Sequence, residues 1–146
     1  MQVFISSAML AEIQHLVLAA APLEICGILF GGENRVSGYR AAQNVADDPI
    51  RHFEIDPAAL ITAERNQRRG QEPILGYYHS HPSGTVEPSV TDASSAAPDG
   101  RVWLILNGQD AAAWRTADNG EIYGRFDAMM LDCSDAKGQT AAKWKP

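Results

Sequence analysis

The segment Ile25-Cys26-Gly27-Ile28-Leu29-Phe30 is an unbroken apolar run closed by Gly31-Gly32. A short run with no polar alternation fits a strand buried on both faces. Such a strand needs other strands beside it and further structure above and below. A second run, Arg101–Asn107, makes the same demand. The 146 residues suffice for a single domain able to meet it. The signals around these runs alternate between strand and helix. Gln2–Ser6 reads as a short strand. Ser6 or Ser7 can cap a helix to about Ala20, with Leu10, Ile13, Val17 and Ala20 on one face, and Pro22 ends it. Arg35–Gln43 is expected to pair antiparallel with the first run, and His52–Ile55 to form another short strand. Asp56-Pro57 gives a cap and a first-turn proline for a helix carrying Leu60 and Ile61 and ending at Arg68, Arg69 and Gly70. Ile74–Ser80 reads as a strand, Pro82–Pro88 as a loop, and Ser89 to about Ala97 as a short helix. Ala111–Thr116 and Glu121–Phe126 are expected to form a hairpin across Asp118-Asn119-Gly120. The sum is an α/β or α+β sandwich, a mixed sheet with three helices.

Composition narrows the function. Apolar residues make up 45% and charged residues 21%, the balance of a globular chain rather than a disordered one. The formal charge of −6 gives no general attraction for nucleic-acid backbones or anionic membranes, so neither is expected as a partner. Two cysteines, Cys26 and Cys133, are too few for a disulfide framework and suit a reducing compartment. With no signal peptide and no membrane-length apolar run, the expected location is the cytoplasm. All three lysines, Lys137, Lys143 and Lys145, fall near the C-terminus, where periodicity stops. The expectation is one domain over residues 1–131 and a flexible tail over 132–146.

The chemistry concentrates in His79-Ser80-His81. Side chains alternate along a strand, so both imidazoles face one way, with Cα atoms roughly 6.5 Å apart. Two nitrogens at that spacing can converge on one cation with bonds of ~2.0–2.1 Å. Beyond the Pro82–Pro88 loop, Ser89 can start a helix with Asp92 in its first turn, where a carboxylate is favoured. Two histidines and one carboxylate leave the fourth position of a tetrahedral zinc site open, which is the catalytic pattern. Glu24 leads into the buried apolar run, so its carboxylate is either exposed at the strand end, paired, or functional. Cys26, two residues on, reads as a small buried hydrophobe or as a thiol near the metal. His15 and His52 lack partners in the pattern and read as surface.

Glu24, then His79-Ser80-His81-Pro82, Ser89 and Asp92 at this spacing, resembles the motif of JAMM (MPN+) zinc metalloproteases, in the compact prokaryotic form called the JAB domain. Phe53-Glu54-Ile55-Asp56-Pro57 and Gly76-Tyr77-Tyr78 are similar to that family as well. The resemblance implies a cytidine-deaminase-like α-β-α sandwich. It implies one Zn²⁺ per chain held by His79, His81 and Asp92. Glu24 would be the base that activates the attacking water and then the proton donor to the leaving amine, and Ser89 would stabilise the oxyanion. Family members hydrolyse peptide or isopeptide bonds at the C-terminus of ubiquitin or ubiquitin-like proteins. Family enzymes that grip ubiquitin carry insertions around the active site, and the short segments Asp56–Pro73 and Asp92–Arg101 imply that a dedicated ubiquitin clamp is absent. The expected partner is therefore a small ubiquitin-like sulfur carrier of the ThiS/MoaD type, ending in Gly-Gly, from which an amino acid or peptide is released. The alternative is a non-catalytic MPN-type interaction scaffold. A zinc deaminase would need His-x-Glu and Pro-Cys-x-x-Cys elements that the sequence lacks.

Overall fold

The computed structural model describes residues 1–133. Strands β1 (Gln2–Phe4), β2 (Cys26–Gly32), β3 (Arg35–Ala42), β4 (Ile74–Ser80), β5 (Val102–Leu106), β6 (Ala111–Gly120) and β7 (Gly124–Asp132) alternate with helices α1 (Ser7–Ala20), α2 (Pro57–Arg68) and α3 (Val90–Ser95). The fold is mixed α+β with three helices among the described residues. The strands join in the order β1-β3-β2-β4-β5-β6-β7, and β1 also pairs with β7, so the sheet closes on itself as a barrel. The closing contact of β1 with β3 rests on one register pair, Phe4 with Arg35.

One face of this sheet wraps a core to which all seven strands contribute, among them Val3, Leu29, Val36, Tyr78, Leu104, Ala113 and Met129. Helix α1 adds Leu10, Ile13 and Val17 to the same core, the apolar stripe its sequence encodes. Ser6 caps α1 by accepting the Met9 N–H at 3.1 Å. The other face is covered separately. Ile28 and Phe30 of β2 pack with Ala63 of α2, and Trp103 and Ile105 of β5 pack with Ala96, Trp114 and Phe126. This two-sided burial is why β2 and β5 carry no polar alternation. Gly76 is required where β4 meets β5: a Cβ there would lie 1.8 Å from the Val102 carbonyl oxygen.

The structure departs from the sequence reading in three places. His52–Ile55 is not a strand. Only Ile55 makes a bridge, to Asn44, and the segment is a loop held by the Asn44 side chain and by the Val45 N–H donating to the Glu54 carbonyl at 2.9 Å. The last hairpin turns at Glu121–Tyr123 rather than Asp118–Gly120. A register shift between Thr116 and Gly120 absorbs Asn119 in the left-handed region, so the expected turn residues become an irregularity inside β6. Ordered packing continues past Leu131, since β7 runs to Asp132 and Cys133 is buried in the core. The tail expected to be flexible otherwise lies outside the described residues.

Candidate functional site

The site forms where β4 ends. His79 is the penultimate residue of that strand and His81 follows it. Ser80 points the other way, its Oγ accepting the Ile25 N–H at 2.9 Å and so tying β4 to the entry of β2. The alternation expected of a strand therefore holds through His81, whose N–H bonds the Leu106 carbonyl at 2.8 Å. The two imidazole Nε2 atoms stand 3.1 Å apart. The Pro82–Pro88 loop returns the chain to α3, and Asp92 Oδ2 lies 3.2 Å from His79 Nε2 and 3.3 Å from His81 Nε2.

Ser89 makes that return possible. It caps α3 by accepting the Asp92 N–H at 2.9 Å, while Asp92 Oδ2 accepts the Ser89 N–H at 3.0 Å. This capping box fixes the carboxylate at the helix start and turns it toward the histidines. Asp92 is only 5% exposed. Burial alone would raise its pKa, but hydrogen bonds to His79 and His81 outweigh that and hold the carboxyl well below its usual range.

The ring orientations have different causes. His81 Nδ1 lies 2.8 Å from the Thr85 carbonyl, which can only accept. That bond places a proton on Nδ1 and leaves the Nε2 lone pair facing the site. His79 is fully buried and oriented by packing, with Phe53 stacked on it at 4.0 Å and Trp103 edge-on at 5.5 Å. Its Nδ1 has no partner among the described residues. Burial pushes the His79 pKa down, against the pull of Asp92. Burial pushes His81 down as well, but Asp92, the Thr85 carbonyl and Glu24 outweigh it, and the net shift is upward.

These facts bear on whether the group fits a metal. The His81 Nε2 lone pair faces a carboxylate oxygen at 3.3 Å, and two acceptors at that distance need a positive charge between them. A shared proton would supply it, in line with the upward shift at His81. A divalent ion would supply it for all three atoms together. Three ligands on a tetrahedral ion with bonds of ~2.0–2.1 Å stand roughly 3.3 Å apart. The three separations here, 3.1, 3.2 and 3.3 Å, match that triangle. Nitrogen and carboxylate donors suit zinc.

Glu24 lies beside this triangle. Its ligand atom falls within 4.8 Å of those of His79 and His81, yet it forms no ion pair with either. Of the placements open to it from the sequence, the exposed one is excluded, since Glu24 is 7% exposed. Burial raises its pKa from 4.5 to about 7, with His81 opposing and Asp92 adding to the shift. Its backbone is held at both ends: its N–H donates to the Pro49 carbonyl at 2.8 Å, and its carbonyl accepts from Asn44 Nδ2 at 2.9 Å. Glu24, His81 and Ser89 line one open cleft of about 430 Å³. All five residues singled out from the sequence thus converge on one place.

A family described as prokaryotic homologs of the JAB domain matches residues 6–117. The chain belongs to that family. This JAB domain is 31% identical over 107 residues to a desampylase of Pyrococcus furiosus, covering 73% of this chain and 76% of that protein. It is 34% identical over 88 residues to a desampylase of Haloferax volcanii, covering 59% of this chain and 63% of that one. A probable TtuB-protein conjugate cleaving protease of Thermus thermophilus is 31% identical over 119 residues, covering 75% and 80% of the two chains. In fold, this JAB domain is similar to a protein of Desulfitobacterium hafniense, with TM-score 0.72, 24% identity and coverage of 89% and 92%. A Salinibacter ruber protein matches with TM-score 0.60 and 21% identity over 99% of each chain.

Two residues around the JAB site carry roles that spacing did not reveal. Asn44 uses its whole side chain: Nδ2 donates to the Glu24 and His52 carbonyls at 2.9 and 3.0 Å, and Oδ1 accepts the Ala46 and Glu54 N–H groups, both at 3.0 Å. It therefore fixes the backbone of Glu24 and the segment carrying Phe53, which stacks on His79. Trp114 is the second. Its Nε1 donates to the Val86 carbonyl at 3.0 Å, and with Asn107 Nδ2 on the Gly84 carbonyl at 3.0 Å it anchors the loop between His81 and Ser89. A polar residue just after a strand was the available sign of Asn44; nothing local signals Trp114. Cys26 is buried. Its Sγ points at the Ala42 and Gln43 carbonyls, and burial raises its pKa to about 12, with the nearby Glu24 carboxylate adding to the rise. His15 and His52 are exposed, as read. Among the described residues, no helix is long and apolar enough to cross a membrane.

Proposed function

We propose that this chain is a zinc-dependent peptidase or isopeptidase that hydrolyses the amide bond after the C-terminal Gly-Gly of a ubiquitin-like sulfur-carrier protein. The observation that carries this reading is the triangle of His79, His81 and Asp92 ligand atoms with a buried carboxylate beside it. The names of the relatives, desampylase and TtuB-conjugate cleaving protease, support an enzyme acting on conjugates of ubiquitin-like proteins. His79, His81 and Asp92 would hold the ion. When bound, zinc supplies Lewis acidity, acidifying water and polarising a carbonyl. Glu24 takes the proton of the attacking water and returns it to the leaving nitrogen. A buried carboxylate beside the ligand atoms is placed for that two-way transfer, a contribution typically of ~10²–10⁴-fold. Ser89 spends one oxygen lone pair on the Asp92 N–H, and its hydroxyl hydrogen remains free to donate to the tetrahedral oxyanion. Asn44 and Phe53 keep the base and His79 in fixed relation. The same reading includes the cytidine-deaminase-like α-β-α layering of the family and a cytoplasmic location.

The experiment is incubation of the metallated protein with Gly-Gly-terminated carriers bearing C-terminal extensions, with release followed by mass spectrometry and Glu24→Gln as control. Release that depends on Glu24 is expected. Stoichiometric zinc without cleavage of any carrier would favour the interaction scaffold instead.

A further inference from the structure

We propose that Tyr123 is a substrate-contacting, specificity-determining residue that grips the extended polypeptide entering the cleft. The inference rests on the peptidase reading for the nature of that polypeptide. Its own basis is a conformation with no structural return. Tyr123 has φ of +52° and is followed by Gly124 at +69°. Left-handed backbone is unfavourable for a side chain of this bulk, and glycine or asparagine is the ordinary occupant of such turns. The surrounding turn holds it there. Ile122 N–H donates to the Phe126 carbonyl at 2.8 Å, and the Arg125 and Phe126 N–H groups return to the Ile122 carbonyl at 3.0 and 3.1 Å. Phe126 is fully buried against Trp103, so the base of the turn is locked into the core beneath the site.

The tyrosine side chain contributes nothing visible to that lock. It is 60% exposed, and its hydroxyl makes no hydrogen bond to the described residues. What it does is line the same cleft as Glu24, His81 and Ser89. Ile50, 53% exposed, lines that cleft from another turn, the one whose Pro49 carbonyl holds the Glu24 N–H. Two exposed side chains on two hydrogen-bonded turns thus border the space beside the reacting groups. A chain entering by this cleft would lie against them. An aromatic ring packs flat on an extended main chain at low conformational cost, most closely where glycine leaves the peptide plane uncovered. A strained residue beside reacting groups, without a role in the fold, is the pattern expected of a binding residue.

The test compares wild type with Tyr123→Gly and Tyr123→Phe on a Gly-Gly carrier bearing a short C-terminal peptide. Tyr123→Gly is expected to raise Tm, because the left-handed position is relieved, and to raise KM about 3–15-fold with kcat within about twofold. Tyr123→Phe is expected to bring KM back to within about twofold. A purely structural role would instead lower Tm and activity together, and that result, or an unchanged KM in Tyr123→Gly, overturns the proposal. Binding of the same carrier peptide to Glu24→Gln and to Glu24→Gln/Tyr123→Gly, read by fluorescence anisotropy, is independent of turnover. If wild type cleaves nothing but the peptide binds in a Tyr123-dependent manner, the peptidase reading fails and this one stands. Equal binding to the two variants, or binding to neither, overturns it.

Discussion

Replacing Glu24 by Gln should abolish turnover and at the same time stabilise the metal-free protein. Glu24 is 7% exposed, and its carboxyl is raised from 4.5 to about 7, first by loss of hydration and then by Asp92 and Asp48, with His81 opposing. The folded state therefore holds the proton more tightly than the unfolded chain. Between pH 4.5 and about 7 the folded protein binds more protons, so stability falls as pH rises through that window and the full penalty is present above it. At ~1.36 kcal/mol per pH unit the penalty has a ceiling of roughly 3 kcal/mol. A glutamine of the same shape carries no charge but must leave part of its amide poorly solvated, at a cost of about 1 kcal/mol. The net expectation is a gain of about 1–2 kcal/mol at pH 8, or roughly 3–6 °C in Tm for a chain of this size. At pH 4.5 the gain should vanish. Adding zinc should also shrink it, because a nearby cation favours the carboxylate. Calorimetry or urea unfolding of both proteins at pH 4.5 and 8, with chelator and with zinc, measures all three quantities. No stabilisation at pH 8, or the same difference at both pH values, would refute the claim that Glu24 is held ionised at the expense of stability.

Ser89→Ala should cost about 1 kcal/mol in unfolding experiments through loss of the α3 cap, and ~10²–10³-fold in kcat; Ser89→Asp should restore the cap and stability but not turnover, since an ionised aspartate offers no donor. Asn44→Ala leaves two carbonyls and two N–H groups without their partner and should destabilise by about 2–3 kcal/mol, with kcat falling as Glu24 shifts while zinc content, read by elemental analysis, is retained. Gly76→Ala places a methyl against the Val102 main chain, which no rotamer change relieves, and should prevent accumulation of folded protein in circular dichroism.

The short-range content of the site was legible because it depends on chain geometry alone. His79 and His81 share a face through the two-residue period of a strand, and Ser89 and Asp92 meet through the three-residue spacing of a capping box. The buried strands β2 and β5 were equally readable, since burial on both faces excludes polar alternation. Where competing signals were close in strength, the reading failed. Asp118-Asn119-Gly120 is a strong turn sequence, but anchoring Phe126 beneath Trp103 sets the hairpin three residues later and turns those residues into an irregularity of β6. His52–Ile55 has strand composition, yet the Asn44 side chain takes the His52 carbonyl and the Glu54 N–H, so the backbone pairing stops at a single bridge.

By itself the sequence determined which elements carry His79, His81, Ser89 and Asp92 and which of them share a face, because those facts follow from the periods of strand and helix. Only the tertiary structure decided that Glu24 is buried beside the histidines, that Phe53 and Trp103 orient His79, and that Tyr123 reaches the cleft from β7's turn. These relations join segments distant in the chain, and the long-range pairing and packing of strands, with no local signature, is what brings them together.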